Sequence, residues 1–268
     1  MILSGLKEQL YQWLPENHRL ERIWFLAKTD FKRRYYGSFL GLLWALLNPL
    51  FRLMIYYTVF SVVFQSREKN FALFLYLGLI HFLFFVEVVN GAMKIYKSKG
   101  YLLENIQIND LDIYFSNVLA SFFGFLFNLT IFMTFRTIVV GGGLSIYVFY
   151  YPVVLLTLIL FVFAGALIMA MLWVFFRDVQ HLWDLARLAL LWLSGVFYLI
   201  DPATSWKTAL MAYATPLPGI LLNARATLLY NEPPHFQLLG YDLAYAVVLL
   251  IAGLFIHRRF KKLALEKL

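Results

Sequence analysis

The sequence has 268 residues, of which 62% are hydrophobic and 14% are charged, whereas soluble domains average about 45–50% and about 25%. This excess of apolar residues excludes an ordinary soluble domain, because apolar runs of about twenty residues need lipid around them. The net charge of +8 does not indicate a nucleic-acid partner, since the basic residues cluster at the ends of the apolar runs. The absence of cysteine excludes disulfides, thiolate catalysis and cysteine-ligated zinc.

Residues 1–38 are predicted to form a cytoplasmic amphipathic region that lies in the membrane interface. Leucine and tryptophan recur at helical spacing before Pro15, and a second helical pattern after it places apolar residues beside Arg19 and Arg22. A soluble helix packed on a partner protein is the alternative interpretation. Lys7 and Glu8 interrupt the first residues, so the pattern does not indicate a signal peptide.

Six apolar segments are long enough to cross a bilayer, and together they define a predicted transmembrane domain over 39–260, followed by a cytoplasmic tail at 261–268. Seventeen of the 23 Lys and Arg residues fall on the side of the two termini and four on the other side. The positive-inside rule therefore places both termini in the cytoplasm. The predicted fold is an all-α integral membrane protein with spans at 39–64, 71–93, 113–140, 151–176, 184–200 and 241–257.

One side of the first span is too polar to face lipid. Trp44, Asn48, Arg52 and Tyr56 are four residues apart and cover an arc of about 120° on a helix. Phe, Tyr and Trp make up 19% of the chain, and aromatic faces offer a passing molecule a flat apolar surface without a charge to desolvate. These four residues, with Trp192 and Tyr198 of the fifth span, are predicted to line a substrate channel; packing between helices is the alternative.

Three ionisable residues lie deep in the first two spans. If these spans form a hairpin, Arg52 is at nearly the depth of His81 and within about 6 Å of the depth of Glu87. Because an unpaired charge in lipid costs about 2.5–3.5 kcal/mol or more, we expect Arg52 to pair with Glu87 or His81. The pair would either pin the hairpin or stand at the channel wall.

Signatures of catalysis and metal binding are weak. Asp110-Leu111-Asp112 matches a short metal-binding pattern of glycosyltransferases but lies where helix caps are expected. His181 and Asp184 have metal-like spacing without a third ligand nearby. We expect no catalytic residue, metal or cofactor in this chain. The chain contains no phosphate-binding loop of the P-loop type, so if ATP powers the system, a partner subunit must bind ATP and Mg.

Residues 201–240 differ from an ordinary outer loop. Two stretches, Trp206 to Tyr213 and Ile220 to Tyr230, are apolar and compatible with helices but too short to span, and prolines separate them. Such helices could dip into the outer leaflet if protein surrounded their ends. We therefore predict two short periplasmic re-entrant helices between spans five and six.

The chain also resembles a known family. The run DFKRRYYGSFLGLLWALLNPL, from Asp30 to Leu50, resembles the start of span one in bacterial type-2 permeases of the ATP-binding-cassette superfamily that export O-antigen, capsular polysaccharide and teichoic acid, and most closely the O-antigen permeases. Phe176-Arg177-Asp178 and the Tyr198 to Pro202 segment are similar to a second family pattern. The loop between spans two and three departs from the family, which often has flanking prolines there.

The resemblance implies a homodimer of six-span subunits in the bacterial inner membrane, joined by two cytoplasmic ATPase subunits, with an interfacial N-terminal helix and periplasmic gate helices at 201–240. The substrate would be a lipid-linked polysaccharide, moved from the cytoplasm to the outer side of the membrane. A drug or lipid permease of the same superfamily and a membrane-embedded glycosyl- or acyltransferase are the alternatives. We expect the ATPase to grip the cytoplasmic segments at Tyr101, Glu104, Asn105, Arg177 and Asp178.

Overall fold

The computed structural model describes residues 19–35, 37–63, 70–105, 109–141 and 143–267, and at 35, 62, 63 and 101–105 it describes the backbone alone. All regular structure in these ranges is helical, which confirms the all-α class. The first part of the predicted amphipathic region, 1–18, lies outside the described residues. The helices are α1 (Arg19–Tyr35), α2 (Trp44–Thr58), α3 (Phe71–Met93), α4 (Ile95–Asn105), α5 (Asp110–Val140), α6 (Tyr151–Phe175), α7 (Val179–Leu193), α8 (Trp206–Ala214), α9 (Pro216–Arg225) and α10 (Phe236–Glu266), with short 3₁₀ or π segments at Gly41–Leu43, Val59–Val63, Ile146–Tyr150 and Ala226–Tyr230.

Five helical stretches within the described ranges are long and apolar enough to cross a membrane. Local chemistry sets several of their ends. The Asn109 side chain caps α5 by accepting a hydrogen bond from the Leu111 amide, and Gly141, at φ +68°, ends the same helix in a conformation that favours glycine. The five stretches are Gly41–Ser61, Phe71–Met93, Asp110–Val140, Ile146–Phe175 and Phe236–Glu266.

Helix α3 forms the centre of the bundle and packs between α5 and α6. Its residues are buried on all sides, with Leu75, Leu77 and Val88 fully covered. Lipid is as apolar as these side chains, so their burial contributes close packing more than hydrophobic free energy. Polar contacts between helices therefore have a large share in fixing the arrangement, and several of them surround the site described below.

Helix α10 packs extensively along α6, and small residues lie where the two cross. A Cβ atom on Gly253 would lie 3.3 Å from the carbonyl oxygen of Ala164, so glycine allows the two backbones to approach closely. The helix also continues well beyond the predicted end of the sixth span, through most of the predicted tail, to Glu266.

Helix α2 has a different environment from α3. Only Ala45 and Pro49 are buried along it, and Phe51, Met54, Ile55 and Tyr57 are exposed. One side of α2 packs on α3 and α5. The other side is a largely apolar surface that needs lipid or a second protein subunit to cover it.

The predicted fifth span, 184–200, is not one continuous helix in this structure. Helix α7 starts earlier and ends at Leu193 after 15 residues, which corresponds to about 22 Å at about 1.5 Å per residue, less than the roughly 30 Å hydrocarbon core. Gly195, at φ +77°, then turns the chain. The prediction from hydropathy treated α7 and the apolar turn after it as one segment, although only α7 is helical. The described residues therefore contain five candidate spans where the sequence predicted six.

Two short helices occupy the outer segment, close to where the sequence placed them. Ser205 and Thr208 form a reciprocal capping box at the start of α8. Pro216 begins α9, where its missing amide costs nothing, and every residue of α9 is buried. The existence of the two helices agrees with the prediction, whereas their depth in a membrane stays a prediction.

Candidate substrate path

A polar cavity of about 290 Å³ lies beside the inner part of α2. Three of the predicted channel residues, Trp44, Asn48 and Arg52, line it together. They share one side of α2 because they are four residues apart. Residues of α3, α5 and α7 form the remaining walls, including Glu87, Asn90, Asn128 and Arg187.

A proline in α2 explains how one wall of this cavity is held. Pro49 has no amide hydrogen, so the carbonyl of Ala45, four residues earlier, loses its helical partner. The Nδ2 atom of Asn128 on α5 donates to that carbonyl at 3.0 Å, and Tyr76 of α3 donates to Oδ1 of the same side chain at 2.9 Å. One buried amide therefore joins α2, α3 and α5 at the cavity.

The other predicted channel residues lie in an aromatic cluster: Tyr56 further along α2, Trp192 at the end of α7 and Tyr198 just after it. The rings of Tyr56 and Phe60 each lie 4.9 Å from the ring of Phe197, and Trp192 lies 4.7 Å from Phe197. The hydroxyl of Tyr198 donates to the Trp192 carbonyl. Trp192 and Tyr198 are about half exposed, so the cluster has rings both packed and accessible.

The predicted pairing of Arg52 does not occur among the described residues. Glu87 forms its ion pair with Arg34 of α1 instead. His81 is buried; its Nδ1 donates to the Leu77 carbonyl at 2.7 Å, and its Nε2 is hydrogen-bonded to the Tyr151 hydroxyl at 3.1 Å. Arg52 and Glu87 nevertheless line the same cavity, as their similar depth suggested. Arg34 was missed because its position depends on how α1 docks, which no local pattern encodes.

The carboxylates of Asp110-Leu111-Asp112 hold two different helices. The buried Asp112 carboxylate accepts hydrogen bonds from Arg19 at 2.6 Å and Arg22 at 2.7 Å, both on α1. Asp110 lies 3.1 Å from Lys261 of α10. Both carboxylates thus have cationic side chains as partners, and the described residues contain no cluster of three metal-ligating side chains.

Arg225 at the end of α9 is a further buried cation that the sequence reading passed over. Its guanidinium donates to the carbonyls of Gly195 at 2.7 Å and Val196 at 2.9 Å, and it lies over the ring of Phe74. These contacts attach the outer short helix to the turn after α7 and to α3. In the sequence, the signal for this residue is an arginine between two apolar stretches. The carbonyls that it binds are about 30 residues away, so sequence pattern alone does not predict them.

The predicted coupling residues lie on two segments that the sequence assigns to the cytoplasmic side. Tyr101, Glu104 and Asn105 belong to the last turns of α4, where the structure describes the backbone. An ion pair between Lys99 and Asp30 connects α4 to α1. Arg177 and Asp178 are exposed in the short turn between α6 and α7, so they are accessible to another protein.

These features define the chain as a multi-pass membrane protein with a polar cavity and an aromatic cluster along the least covered of its candidate spans. The chain belongs to the ABC-2 type transporter family, whose model matches residues 21–221. The match includes all but the first two residues of α1, the cavity, the aromatic cluster, all of α8 and the first part of α9.

Curated relatives cover nearly the whole chain. An O-antigen export system permease protein RfbA from Myxococcus xanthus is 29% identical over 231 residues, which is 85% of this chain and 88% of the relative. An O-antigen export system permease protein RfbA from Klebsiella pneumoniae is 25% identical over 236 residues, covering 88% of this chain and 90% of the relative. The similarity therefore extends over most of both chains and not over a shared motif alone.

Proposed function

We propose that the chain is the transmembrane subunit of an exporter that carries a lipid-linked, O-antigen-like polysaccharide from the cytoplasm to the outer side of the bacterial inner membrane. The observation that carries this proposal is the similarity to O-antigen export permeases over at least 85% of both chains, within a family model that matches 21–221. The chain itself binds no ATP in this proposal. Two cytoplasmic ATPase subunits bind ATP and Mg.

In the proposed assembly two copies of the chain form the channel. Helix α2 supports this, because its polar cavity would be unfavourable if it faced lipid, and its exposed apolar side offers a surface on which a second copy can pack. A second subunit covering α2 would enclose the cavity and place the path between the copies. The short helix α7, together with the outer segment, would then take the place of the predicted fifth span, with α8 and α9 as gate helices and both termini cytoplasmic.

The aromatic cluster supports a path for sugars. Tyr56, Trp192 and Tyr198 offer ring faces and hydroxyl or indole groups without a charge. A polymer moving past such rings exchanges one weak apolar contact for another, so it is not trapped at any single position. The partial exposure of Trp192 and Tyr198 is consistent with this role, and Phe197 serves as the buried ring behind them.

Energy would enter through α4 and the turn between α6 and α7. Helix α4 is a short helix outside the candidate spans, and the Lys99 to Asp30 ion pair connects it to α1. A rigid helix that is pushed at one end moves its attached neighbours, so displacement of α4 would be passed to the interface helix. Helix α1 in turn reaches the cavity through Arg34.

The test is a deletion of the gene with analysis of lipid-linked glycans in the cell. The proposal expects finished lipid-linked polymer to accumulate on the cytoplasmic side and the cell surface to lose it. If the polymer is not made at all, the chain acts in synthesis and the transferase hypothesis replaces export. If polymer synthesis and surface display are both normal while a drug or phospholipid is no longer exported, the substrate class is wrong.

A further inference from the structure

Arg52 is an exposed cation close to the middle of the candidate span Gly41–Ser61. It forms no ion pair or hydrogen bond with any described residue. The nearby carboxylate of Glu87 forms its ion pair with Arg34 instead. Leaving a guanidinium unpaired at this depth costs about 2.5–3.5 kcal/mol or more. The side chain faces a cavity and not a packed interface, so a counter-charge can reach it from that cavity.

Two amide groups beside Arg52 have donors to spare. Oδ1 of Asn90 accepts the indole hydrogen of Trp183 at 2.7 Å, and this bond fixes the orientation of the amide. The Nδ2 atom of Asn90 has no partner among the described residues. Asn48 makes no hydrogen bond within the described ranges. Asn128 is different, because both of its donor hydrogens go to the carbonyls of Ala45 and Gly124. Arg52, Asn48 and Asn90 are thus three of the donor-bearing side chains that the cavity offers to a ligand.

The other charges around the cavity have partners already. Arg34 compensates Glu87, and Arg187 lies 3.1 Å from Asp184. The positive charge of Arg52 is left over. A cavity of about 290 Å³ is also small, just below the roughly 300–1,000 Å³ of sites that hold whole ligands. It fits one group of a larger molecule.

We infer that this cavity binds a phosphate group, with Arg52 as its counter-ion and the amides of Asn48 and Asn90 as additional donors. Three donors on separate side chains suit the several oxygens of a phosphate, whereas a planar carboxylate is satisfied by a single arginine fork. The phosphate would belong either to the lipid carrier of the transported glycan or to a membrane phospholipid. The first source rests on the proposed function; the second does not.

Binding of radiolabelled farnesyl phosphate to the full-length chain in phosphate-free alkyl maltoside micelles tests this site. Arg52→Gln should weaken binding at least tenfold, Arg52→Lys should weaken it less, and Arg259→Gln, at an exposed arginine outside the cavity, should leave it unchanged. Farnesol, which has no phosphate, should not compete. Correct folding of each variant is checked by its elution as a monodisperse peak.

Competition with phosphatidylglycerol distinguishes the two sources. If phosphatidylglycerol displaces farnesyl phosphate at equal concentration, the site holds membrane phospholipid. If phosphatidylglycerol does not displace it, the site is selective for the carrier type of phosphate. Both results support a phosphate site. Equal binding by folded Arg52→Gln, or competition by farnesol, overturns the site. That failure leaves the proposed function intact, because the latter depends on polymer accumulation in the deletion strain and not on binding at Arg52.

Discussion

Replacing Asn128 with alanine should destabilise the protein through the carbonyl that Pro49 leaves without a partner. Asn128 makes two bonds to other helices, one to the Ala45 carbonyl and one with the Tyr76 hydroxyl. Hydrogen bonds between membrane helices contribute about 0.6 kcal/mol on average and up to about 1.7 kcal/mol. The loss of both should therefore lower the free energy of unfolding by about 1–3 kcal/mol.

The loss of unfolding free energy caused by Asn128→Ala should depend on whether Pro49 is present. In Pro49→Ala the new alanine supplies an amide hydrogen four residues after Ala45, so the carbonyl no longer needs Asn128. The penalty of Asn128→Ala should then fall by about 1 kcal/mol, the share of one interhelical bond. Reversible unfolding in sodium dodecyl sulfate gives the four free energies of the cycle.

A matched amide controls for non-specific effects. Asn117 donates to the Val88 carbonyl at 2.9 Å, far from Pro49, and its replacement with alanine should cost the same in both backgrounds. If the cost of Asn128→Ala is also unchanged by Pro49→Ala, within about 0.5 kcal/mol, the proline-driven explanation of this contact is refuted.

Three further outcomes are expected. Asp112→Ala should destabilise the docking of α1 by an amount near the lower end of about 3–5 kcal/mol, because Arg22 is left buried while the half-exposed Arg19 can turn to water. Relative to the unsubstituted protein, amide hydrogen exchange should become faster in α1 and change less in α10, and an equal change in the two helices contradicts the prediction. Alanine at both Tyr56 and Trp192 should lower polymer export several-fold at unchanged protein level and ATPase binding, whereas a loss that follows protein level alone assigns the rings to packing. Glu104→Lys should uncouple ATP hydrolysis from export in an inserted protein, and unchanged export with unchanged ATPase stimulation removes this residue from the coupling surface.

The sequence predicted best where one physical signal dominates. The apolar run of α3 has no competing interpretation, and its predicted bounds coincide with the helix at Phe71–Met93. The apolar run before Ile200 was misleading, because residues after Leu193 are apolar without being helical. Hydropathy measures preference for an apolar environment, and buried turns between helices share that preference with spans.

The polar side of α2 was recognised as a common surface, but its partners were not. Helical spacing placed Trp44, Asn48 and Arg52 on one side, and they do line one cavity. The depth argument correctly brought Glu87 to the same cavity and gave it the wrong partner, since Arg34 lies 53 residues away on a helix that must first dock. The role of Asn128 likewise follows from Pro49 only once both helices are in place.

Transport in inverted inner-membrane vesicles tests the central claim most directly. Vesicles that contain the chain, its ATPase and a labelled lipid-linked glycan on the outer, formerly cytoplasmic, face should move the glycan into the lumen when ATP is added, where it becomes protected from an added glycosidase. Vesicles from the deletion strain should show no protection. Equal ATP-dependent protection with and without the chain would contradict its role as the channel.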